Sequence, residues 1–570
     1  MPTVHGGTHA FLLEALRYLR TETFEFLRTS RTVKNIRLSH NDLVRAVEFG
    51  KFELCGDNVR HPLPEGVHGV NLFTVNEAKG RRRLITEPHL NGVIKKYELP
   101  PISRLSRLER RQRLRHARYM FQLDFEAFYD AIPLPRDLRD KFVFRTREGA
   151  MYRLTTLPTG ARWSVAVGQA VTWTIVDIDT PVFIETMIDN VLIAAEEGQE
   201  VAFVAAVRTV VDRIRVANLL TSPDREAVAV MPDSALLDEA KSRCVFLGEE
   251  YVWEEGERQV RNTVKTVTKI DLASRAEQFT FRSFASLVSL ITYAVHTTTL
   301  NPAYLFPLMR MYRALFRMVA RGKSWEDHVT YISTSIRSTL QHFALLLLAN
   351  PLCRIPEPIQ ATYDDEDYDI VVFTDASARG WGAVARWRGG QTQSFQQRWV
   401  HDLQVRGVPS GTGTTVPFNA RFSANAEPHA ALLFLQLVLA RGAVRGMRIA
   451  VVTDHYPIAL AQRGENGFRG IGRGYYLNNL YTFTNDLFHR QGVRVVFFYI
   501  DGACNPADRL SRNFGEDVSD GEVAVREAAD MVLPRLINTA CPVCEKQGQH
   551  ASMGSVFPGY ARLATQNEQR

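Results

Sequence analysis

The sequence predicts a multidomain α/β protein, and three observations carry that expectation. Its 570 residues exceed what one hydrophobic core organises, which points to two to four domains. Up to about residue 260 strand and helix patterns mix, whereas from "DLASRAEQFTF" to "LLLLANPLCRI" helical periodicity takes over with almost no strand signal. Beyond the Pro- and acid-rich "RIPEPIQATYDDEDYD" a new order begins that reads βββαβαβα.

Composition narrows the class. With 45% hydrophobic and 23% charged residues the chain is globular, not disordered or fibrous. A net charge of +7 mildly favours a polyanionic partner. The longest apolar run, "FALLLLANPL", is about half of what a membrane span needs, so no membrane association is expected. The N-terminal "HAFLLEALRYLRTETFEFLR" has the spacing of an amphipathic helix and lacks a signal-peptide core. Six cysteines without a disulfide framework fit a reducing, intracellular setting, in the cytoplasm, the nucleus or both. In "CPVCEKQGQH", Cys541 and Cys544 have zinc-knuckle spacing with no second pair behind them; two free surface thiols are the expectation and a zinc site the alternative.

In the last third, "DIVVFTDAS", "WGAVARW" and "TQSFQQRWV" read as three antiparallel strands. The helix "AEPHAALLFLQLVLARG", the strand "MRIAVVTD", the helix "LNNLYTFTNDLFHRQG", the strand "VRVVFFYI" and the short helix "NPADRLSR" follow. Four acids fall at element ends: Asp375 closing the first strand, Glu427 opening the helix, Asp454 closing the fourth strand and Asp508 near the final helix. Any one alone reads as a solvated strand end or a helix cap. Together they are hard oxygen donors of the kind that hold divalent cations for phosphodiester hydrolysis. "FTDAS", "AEPHA", "VVTDH" and "NPADRLSR" resemble, in order, the four acidic motifs of ribonuclease H, and "GACNPADRLSR" resembles the end of retroelement domains of that family. The resemblance implies that Asp375, Glu427, Asp454 and Asp508 are metal ligands that cut the RNA strand of an RNA-DNA hybrid. Tyr499 stands where many retroelement relatives have His, and His455 where many have Ser.

Earlier in the chain, "RYMFQLDFEAFYDAIPL" reads as a strand ending at Asp124, followed by the aromatic pair Phe128 and Tyr129. "TMIDNVLIA" reads as a hairpin whose turn is Asp189-Asn190, two residues that tolerate tight backbone angles. The segments "EAKGRRRLITEPHLN", "LDFEAFYDAIPL", "TTLPTGARWS", "MIDNVLIA" and "CVFLGEEY" resemble the ordered motif set of reverse transcriptases. That resemblance implies that Asp124 and Asp189 bind the catalytic metals and that Lys79 and Arg82 meet the nucleotide triphosphate. It makes Tyr129, beside Phe128, the gate against a 2′-hydroxyl. Pro158 and Gly160 position template and nucleotide, and Phe246, Leu247 and Gly248 lie at the primer end. The family's Tyr-x-Asp-Asp is here Met187-Ile188-Asp189-Asn190; Asn190 keeps a carbonyl oxygen able to ligate Mg²⁺ but gives up one charge.

The helical "SLVSLITYAVHTTTLNPAYLFPLMRMYRALFRMV" resembles the corresponding helices of DIRS-like, tyrosine-recombinase retrotransposons. Taken together, the resemblances imply a right-hand polymerase (fingers, palm, thumb) followed by an RNase H-like α/β domain. The expected organisation is an N-terminal helical extension (1–64), fingers and palm (65–261), thumb/connection (262–352), linker (353–365), RNase H-like domain (366–515) and tail (516–570). The implied activity is RNA- and DNA-directed DNA synthesis with fused ribonuclease H, in a retrotransposon of LTR or DIRS-like type, using two Mg²⁺ or Mn²⁺ per site. Its partners would be RNA template, DNA primer, RNA-DNA hybrid, deoxynucleoside triphosphates and other retroelement proteins. Two alternatives stand beside it: a nucleic-acid-binding scaffold with the same folds, and a nuclease whose polymerase half only grips nucleic acid. The arginine run at 104–119 reads as a helix that is either solvated or in contact with template or primer backbone, and "GFRGIGRGYY" as a surface turn or a nucleic-acid-facing loop.

Overall fold

The computed structural model describes residues 6–20, 38–56, 68–76, 82–92, 99–102, 104–139, 141–146, 148–358, 361–399, 420–442, 444–462, 468, 470–519 and 521–542. Its backbone divides into two units, Met1–Val260 and Arg261–Arg570.

The N-terminal unit opens with the helices α1 (Gly6–Arg20) and α2 (His40–Glu48) and the strands β1 (Phe52–Gly56), β2 (His68–Asn76) and β3 (Arg82–Pro88). Helix α3 (Arg107–Leu114) starts at a capping box, Ser106 with Glu109, and leads into β4 (Ala117–Phe125). The short helices α4 (Phe128–Ala131) and α5 (Arg136–Arg139), strands β5 (Phe142–Arg145) and β6 (Met151–Leu154) and helix α6 (Arg162–Val176) come next. They are followed by β7 (Phe183–Met187), β8 (Asn190–Glu196), α7 (Glu200–Val216), β9 (Thr221–Ser222), α8 (Arg225–Val230) and α9 (Asp233–Lys241). The strands β10 (Cys244–Phe246), β11 (Glu249–Glu254) and β12 (Glu257–Asn262) complete the series.

Two of the sheets in this unit matter for the site, one ordered β1-β6-β5-β2-β3 and one ordered β7-β8-β4-β9. In the second, alternation along β4 turns Phe121, Leu123 and Phe125 into a core shared with Phe203, Val207, Val210 and Ile214 of α7. Each such fully buried side chain contributes about 1.5–3 kcal/mol relative to leaving it in water. That core fixes the height at which β4 ends, and therefore where Asp124 emerges.

Two members of the arginine run correct an expectation, while Arg104 and Arg113 of the same run stay exposed. The helix stops at Leu114 and the chain is already a strand from Ala117, and Arg110 and Arg111 are buried, neither solvated nor turned towards a ligand. Arg111 and Arg107 converge on the Glu249 carboxylate, Arg107 Nη2 at 2.7 Å, and Arg110 bonds Glu185 at 3.2 Å. Burial alone would push the Glu249 carboxyl up, but the neighbouring Arg111 and Arg107 charges and the Tyr251 hydroxyl hold it down at about 2. Removing one member of a buried charge network strands the others, at about 3–5 kcal/mol. Glu249→Gln is therefore expected to lower the stability of the N-terminal unit by that amount, read from urea unfolding; a shift below about 1 kcal/mol would mean that the arginines find water.

The C-terminal unit begins with α10 (Val264–Ser274), α11 (Phe281–Val295), α12 (Phe306–Ala320) and α13 (Thr334–Leu348), packed around Phe284, Ile291, Leu308, Phe343 and Leu347. After the two-residue strand β13 (Cys353–Arg354) come β14 (Ile370–Ala376), β15 (Gly380–Trp387), β16 (Thr392–Arg398), α14 (Ala420–Ala440), β17 (Arg448–Thr453) and α15 (Tyr456–Ala461). Then follow α16 (Tyr475–Gln491), β18 (Arg494–Tyr499), α17 (Asp508–Arg512) and β19 (Ala524–Glu527). They build a sheet ordered β18-β17-β14-β15-β16-β19, with β14, β17 and β18 parallel and the β14-β15-β16 meander antiparallel. Both faces of β14 are buried: Ile370 and Val372 lie with α14 and α16, and Val371 and Phe373 lie under the chain's later residues.

Five expectations change here. Helix α14 begins at Ala420, so Glu427 sits two turns inside it and does not open it. The sheet and its cover run past residue 515: β19 pairs with β16, and Leu536, Ala540 and Cys541 close the second face. The end of the expected linker belongs to the same core, since the Tyr363 hydroxyl accepts a hydrogen bond from the Cys541 amide at 2.9 Å. Cys541 is accordingly buried and not a surface thiol, while Cys544 lies outside the described residues. The expected thumb segment also packs on α16, through the turn Pro302–Leu305, where Asn478 Nδ2 donates to the Ala303 carbonyl at 3.0 Å.

Candidate functional site

Three carboxylates meet at the open end of the C-terminal sheet. Asp375 is the sixth residue of the central strand β14, Asp454 directly follows the neighbouring parallel strand β17, and Glu427 reaches in from α14. One oxygen from each lies within 4.8 Å of the others. The convergence follows from topology, because adjacent parallel strands finish at the same edge and the helix crosses over it.

Supports for this cluster come from residues that carry no charge. Gly382 on β15 faces Asp375 across the ladder, and a Cβ there would stand 2.6 Å from the Leu510 side chain and 2.7 Å from the Ser511 amide nitrogen. Glycine is what lets α17 lie directly on β15. From α17 the Ser511 hydroxyl donates to Asp375 Oδ2, and Asn505 ties the preceding loop to the Thr374 carbonyl at 3.0 Å. Asp508, the fourth expected acid, starts α17 and is held by Arg512 at 2.5 Å; it stands outside the tight group of three. Gly382, Asn505 and Ser511 are not singled out by sequence pattern, although Asn505 and Ser511 lie inside "NPADRLSR".

The donor set fits a hard divalent cation. Asp454 Oδ1 and Glu427 Oε2 are buried without any hydrogen-bond partner, an arrangement that costs free energy unless a positive ligand supplies the missing interaction. Burial, reinforced by repulsion from Asp454, pushes the Asp375 carboxyl up to about 7; burial, reinforced by Asp508, raises Asp454 to about 6. Glu427 is displaced upwards by burial and by the Asp375 and Asp454 charges. Such raised values favour the fold below the ordinary carboxylate range and withdraw that stability as pH rises through the folded values. Without divalent metal, the melting temperature is expected to fall between pH 5 and 8, through a loss on the order of a few kcal/mol. Added Mg²⁺ should restore it at pH 8 and do little at pH 5, because protonated carboxyls bind metal poorly. Equal stabilisation by Mg²⁺ at both pH values, read by calorimetry, would remove the cluster as the metal site.

A second carboxylate pair forms in the N-terminal unit. Asp124, near the end of β4, pairs in register with Asn190 at the start of β8, and the Phe125 amide donates to the Asp189 carbonyl at 2.8 Å. Burial, followed by the Asp189 and Glu126 charges, raises the Asp124 carboxyl. The hairpin differs from the expected one: Met187 pairs with Asn190, so Ile188-Asp189 make the turn, and Ile188, not Asp or Asn, takes the left-handed angle (φ 58°). A β-branched residue there is strained, at about 1–3 kcal/mol. Helix α6 holds it: Gln169 accepts from the Ile188 amide at 2.8 Å and donates to the Thr186 hydroxyl at 2.8 Å, and the Thr172 hydroxyl donates to the Ile188 carbonyl. Asn190 Oδ1 accepts from Gln122 at 2.8 Å, and its amide donates to Asp189 Oδ1 at 3.1 Å. Its carbonyl oxygen is thus already engaged.

The other expected residues fall into three groups. Tyr129 lies at this pair, its hydroxyl pushed up to about 12 by burial and by the Asp189 charge, and Gly168 of α6 makes room for its ring, a Cβ there standing 3.2 Å from it. The segment with Pro158 and Gly160 clips to β3, the Gly160 amide donating to the Thr86 carbonyl at 2.9 Å. Phe128 and Phe246 are buried, Phe128 against Phe125 at 5.0 Å and Phe246 beneath Arg110 at 5.5 Å, so neither ring is open to a ligand. Leu247 and Gly248 form the tip of the β10–β11 turn, both with positive φ. Arg82 opens β3, but its side chain and Lys79 lie outside the described residues.

No protein-family profile matches the sequence, and no curated protein does. Among solved structures, the foamy viral protease-reverse transcriptase dRH bound to double-stranded DNA is 15% identical, with a TM-score of 0.40 over 82% of this chain and 71% of that one. The foamy viral protease-reverse transcriptase with double-stranded DNA gives 14% and 0.40 over 83% and 86%, and with an RNA/DNA hybrid 13% and 0.42 over 87% and 58%. Scores this low establish neither fold nor activity, and the chain's own geometry has to carry both. No helix among the described residues is long and apolar enough to cross a membrane.

Proposed function

We propose that the chain is an intracellular retroelement enzyme that synthesises DNA on RNA and DNA templates and degrades the RNA of RNA-DNA hybrids. The observation that carries this reading is the trio Asp375, Glu427 and Asp454, with its two unpartnered buried oxygens, gathered where the adjacent parallel strands β14 and β17 end and α14 crosses them. That strand order, with its antiparallel meander and two covering helices, supports the ribonuclease H reading of the acidic motifs.

Asp375, Glu427 and Asp454, with Asp508 beside them, would hold Mg²⁺ or Mn²⁺ at one site, and Asp124 with Asp189 at the other. When bound, the metals supply Lewis acidity and offset charge on the reacting phosphate. Ser511 holds the Asp375 carboxylate in place for that role. In the N-terminal unit, Gln169 and Thr172 hold the turn that presents Asp189. Tyr129, seated over Gly168 and un-ionised at neutral pH, excludes a 2′-hydroxyl by occupying its space.

The engaged Asn190 carbonyl favours one second reading, in which the N-terminal unit grips nucleic acid and only the C-terminal trio is catalytic. Primer extension on an RNA template and cleavage of a labelled hybrid, each with Mg²⁺ and with Mn²⁺, separate the two. Both activities support the first reading, cleavage without extension supports the second, and neither activity refutes both.

A further inference from the structure

Helix α12 is two-faced. Leu308 and Leu315 point into the helical core, while Arg310, Arg313 and Arg317 stand exposed on another side at spacings of three and four. The segment before α16 comes up against that side, with the Arg473 carbonyl 3.5 Å from Arg313 Nη1. Between them lies a groove of about 800 Å³ to which Arg473 adds a fourth exposed guanidinium. Among the described residues no carboxylate lines it, and none of the four arginines makes a salt bridge with a described residue. Like charges gathered without a counter-charge repel one another, so the arrangement is relieved by an anion.

Its length and its walls identify the anion. From Arg310 to Arg317 the helix rises about 10.5 Å, more than a single phosphate group covers, so a strand with successive phosphates fits better than a single phosphate. Aromatic rings complete the wall: Tyr475 is 56% and Phe316 43% exposed, and Phe306 contacts Tyr475 with ring centroids 6.5 Å apart. Large rings left in water beside guanidinium groups are surfaces on which unpaired bases stack. A duplex keeps its bases inside and gains nothing from them.

We infer that this groove binds a single-stranded nucleic-acid segment, its phosphates on the arginines of α12 and Arg473 and its bases on Tyr475 and Phe316. The inference rests on the nucleic-acid-enzyme reading and adds a binding site that does not touch either carboxylate centre.

The test is fluorescence anisotropy of the full chain with a labelled single strand of about 12 nucleotides, as DNA and as RNA, across a salt series. The double variant Arg310→Gln/Arg313→Gln is expected to weaken binding at least about tenfold and to flatten the log–log salt slope by about 1.4, at ~0.7 for each phosphate left without its arginine. Tyr475→Ala is expected to weaken binding about tenfold with the slope unchanged. A stronger effect on RNA assigns the groove to a template strand, and a stronger effect on DNA to a product strand. Unchanged affinity and slope in both variants, or polyglutamate peptide competing as well as the oligonucleotide, would overturn the inference. Primer extension and cleavage of a blunt, short hybrid, measured in the wild type, fail only if the enzymatic reading itself is wrong, so the two failures are distinct.

Discussion

An Asp375→Asn chain is expected to lose hybrid cleavage by about a thousandfold or more while primer extension stays within about twofold of wild type. Asp375 contributes to the trio, and an amide in its place removes the negative charge that a bound cation needs without changing the side chain's size. Stability moves in the opposite sense. The wild-type carboxyl titrates near 7 because burial and Asp454 disfavour its charge, so the folded state weakens as pH rises through that value. A neutral amide does not titrate, and the metal-free variant is expected to melt higher than wild type at pH 8 and close to it at pH 5. Cleavage lost together with a lowered melting temperature would mean that Asp375 is a structural residue, held by Ser511 for the fold alone.

Asp124→Asn is expected to produce the reverse pattern, with primer extension lost by a similar factor and hybrid cleavage retained. Asp124 leaves β4 next to the Ile188-Asp189 turn, and burial together with Asp189 already disfavours its charge. A cation held between the two carboxylates would offset that repulsion. The proper control is Gln169→Leu, which leaves both carboxylates but removes the acceptor for the Ile188 amide, at a cost of about 1–3 kcal/mol. Extension should fall in that variant too, through a loosened turn. Asp124→Asn with undiminished extension would sink the polymerase reading of this unit, and loss of both activities in either aspartate variant would contradict two independent sites.

The differences between sequence and structure share a cause that particular residues make plain. Apolar runs and alternation marked β14, β15, β16, β17 and β18, because a strand buried on both faces leaves a continuous apolar run and one buried on a single face an alternation in its own residues. The acids Asp375 and Asp454 were legible for the same reason, since each ends such a run. By contrast, the burial of Arg110 and Arg111 depends on Glu249, more than a hundred residues away in sequence, and nothing in the local pattern of a charged helix distinguishes a solvated face from a paired one. The same holds for residues 524–541, whose irregular pattern specifies no element until β16 offers an edge to pair with and the sheet a face to cover.

What the sequence by itself determined is the order of elements, the end-of-strand acids and the hairpin at residues 187–190, all written in neighbouring residues. Only the tertiary structure decided which of the four acids converge, that Glu427 reaches the trio from inside a helix and that Gly382 admits α17 with its serine. It also decided that Ile188, and not Asp189 or Asn190, takes the left-handed angle, because Gln169 and Thr172 on α6 hold it there. The physical reason is one of range: periodicity and turn preference act within a few residues, whereas close approach, charge pairing and imposed backbone strain exist only once distant segments share a surface.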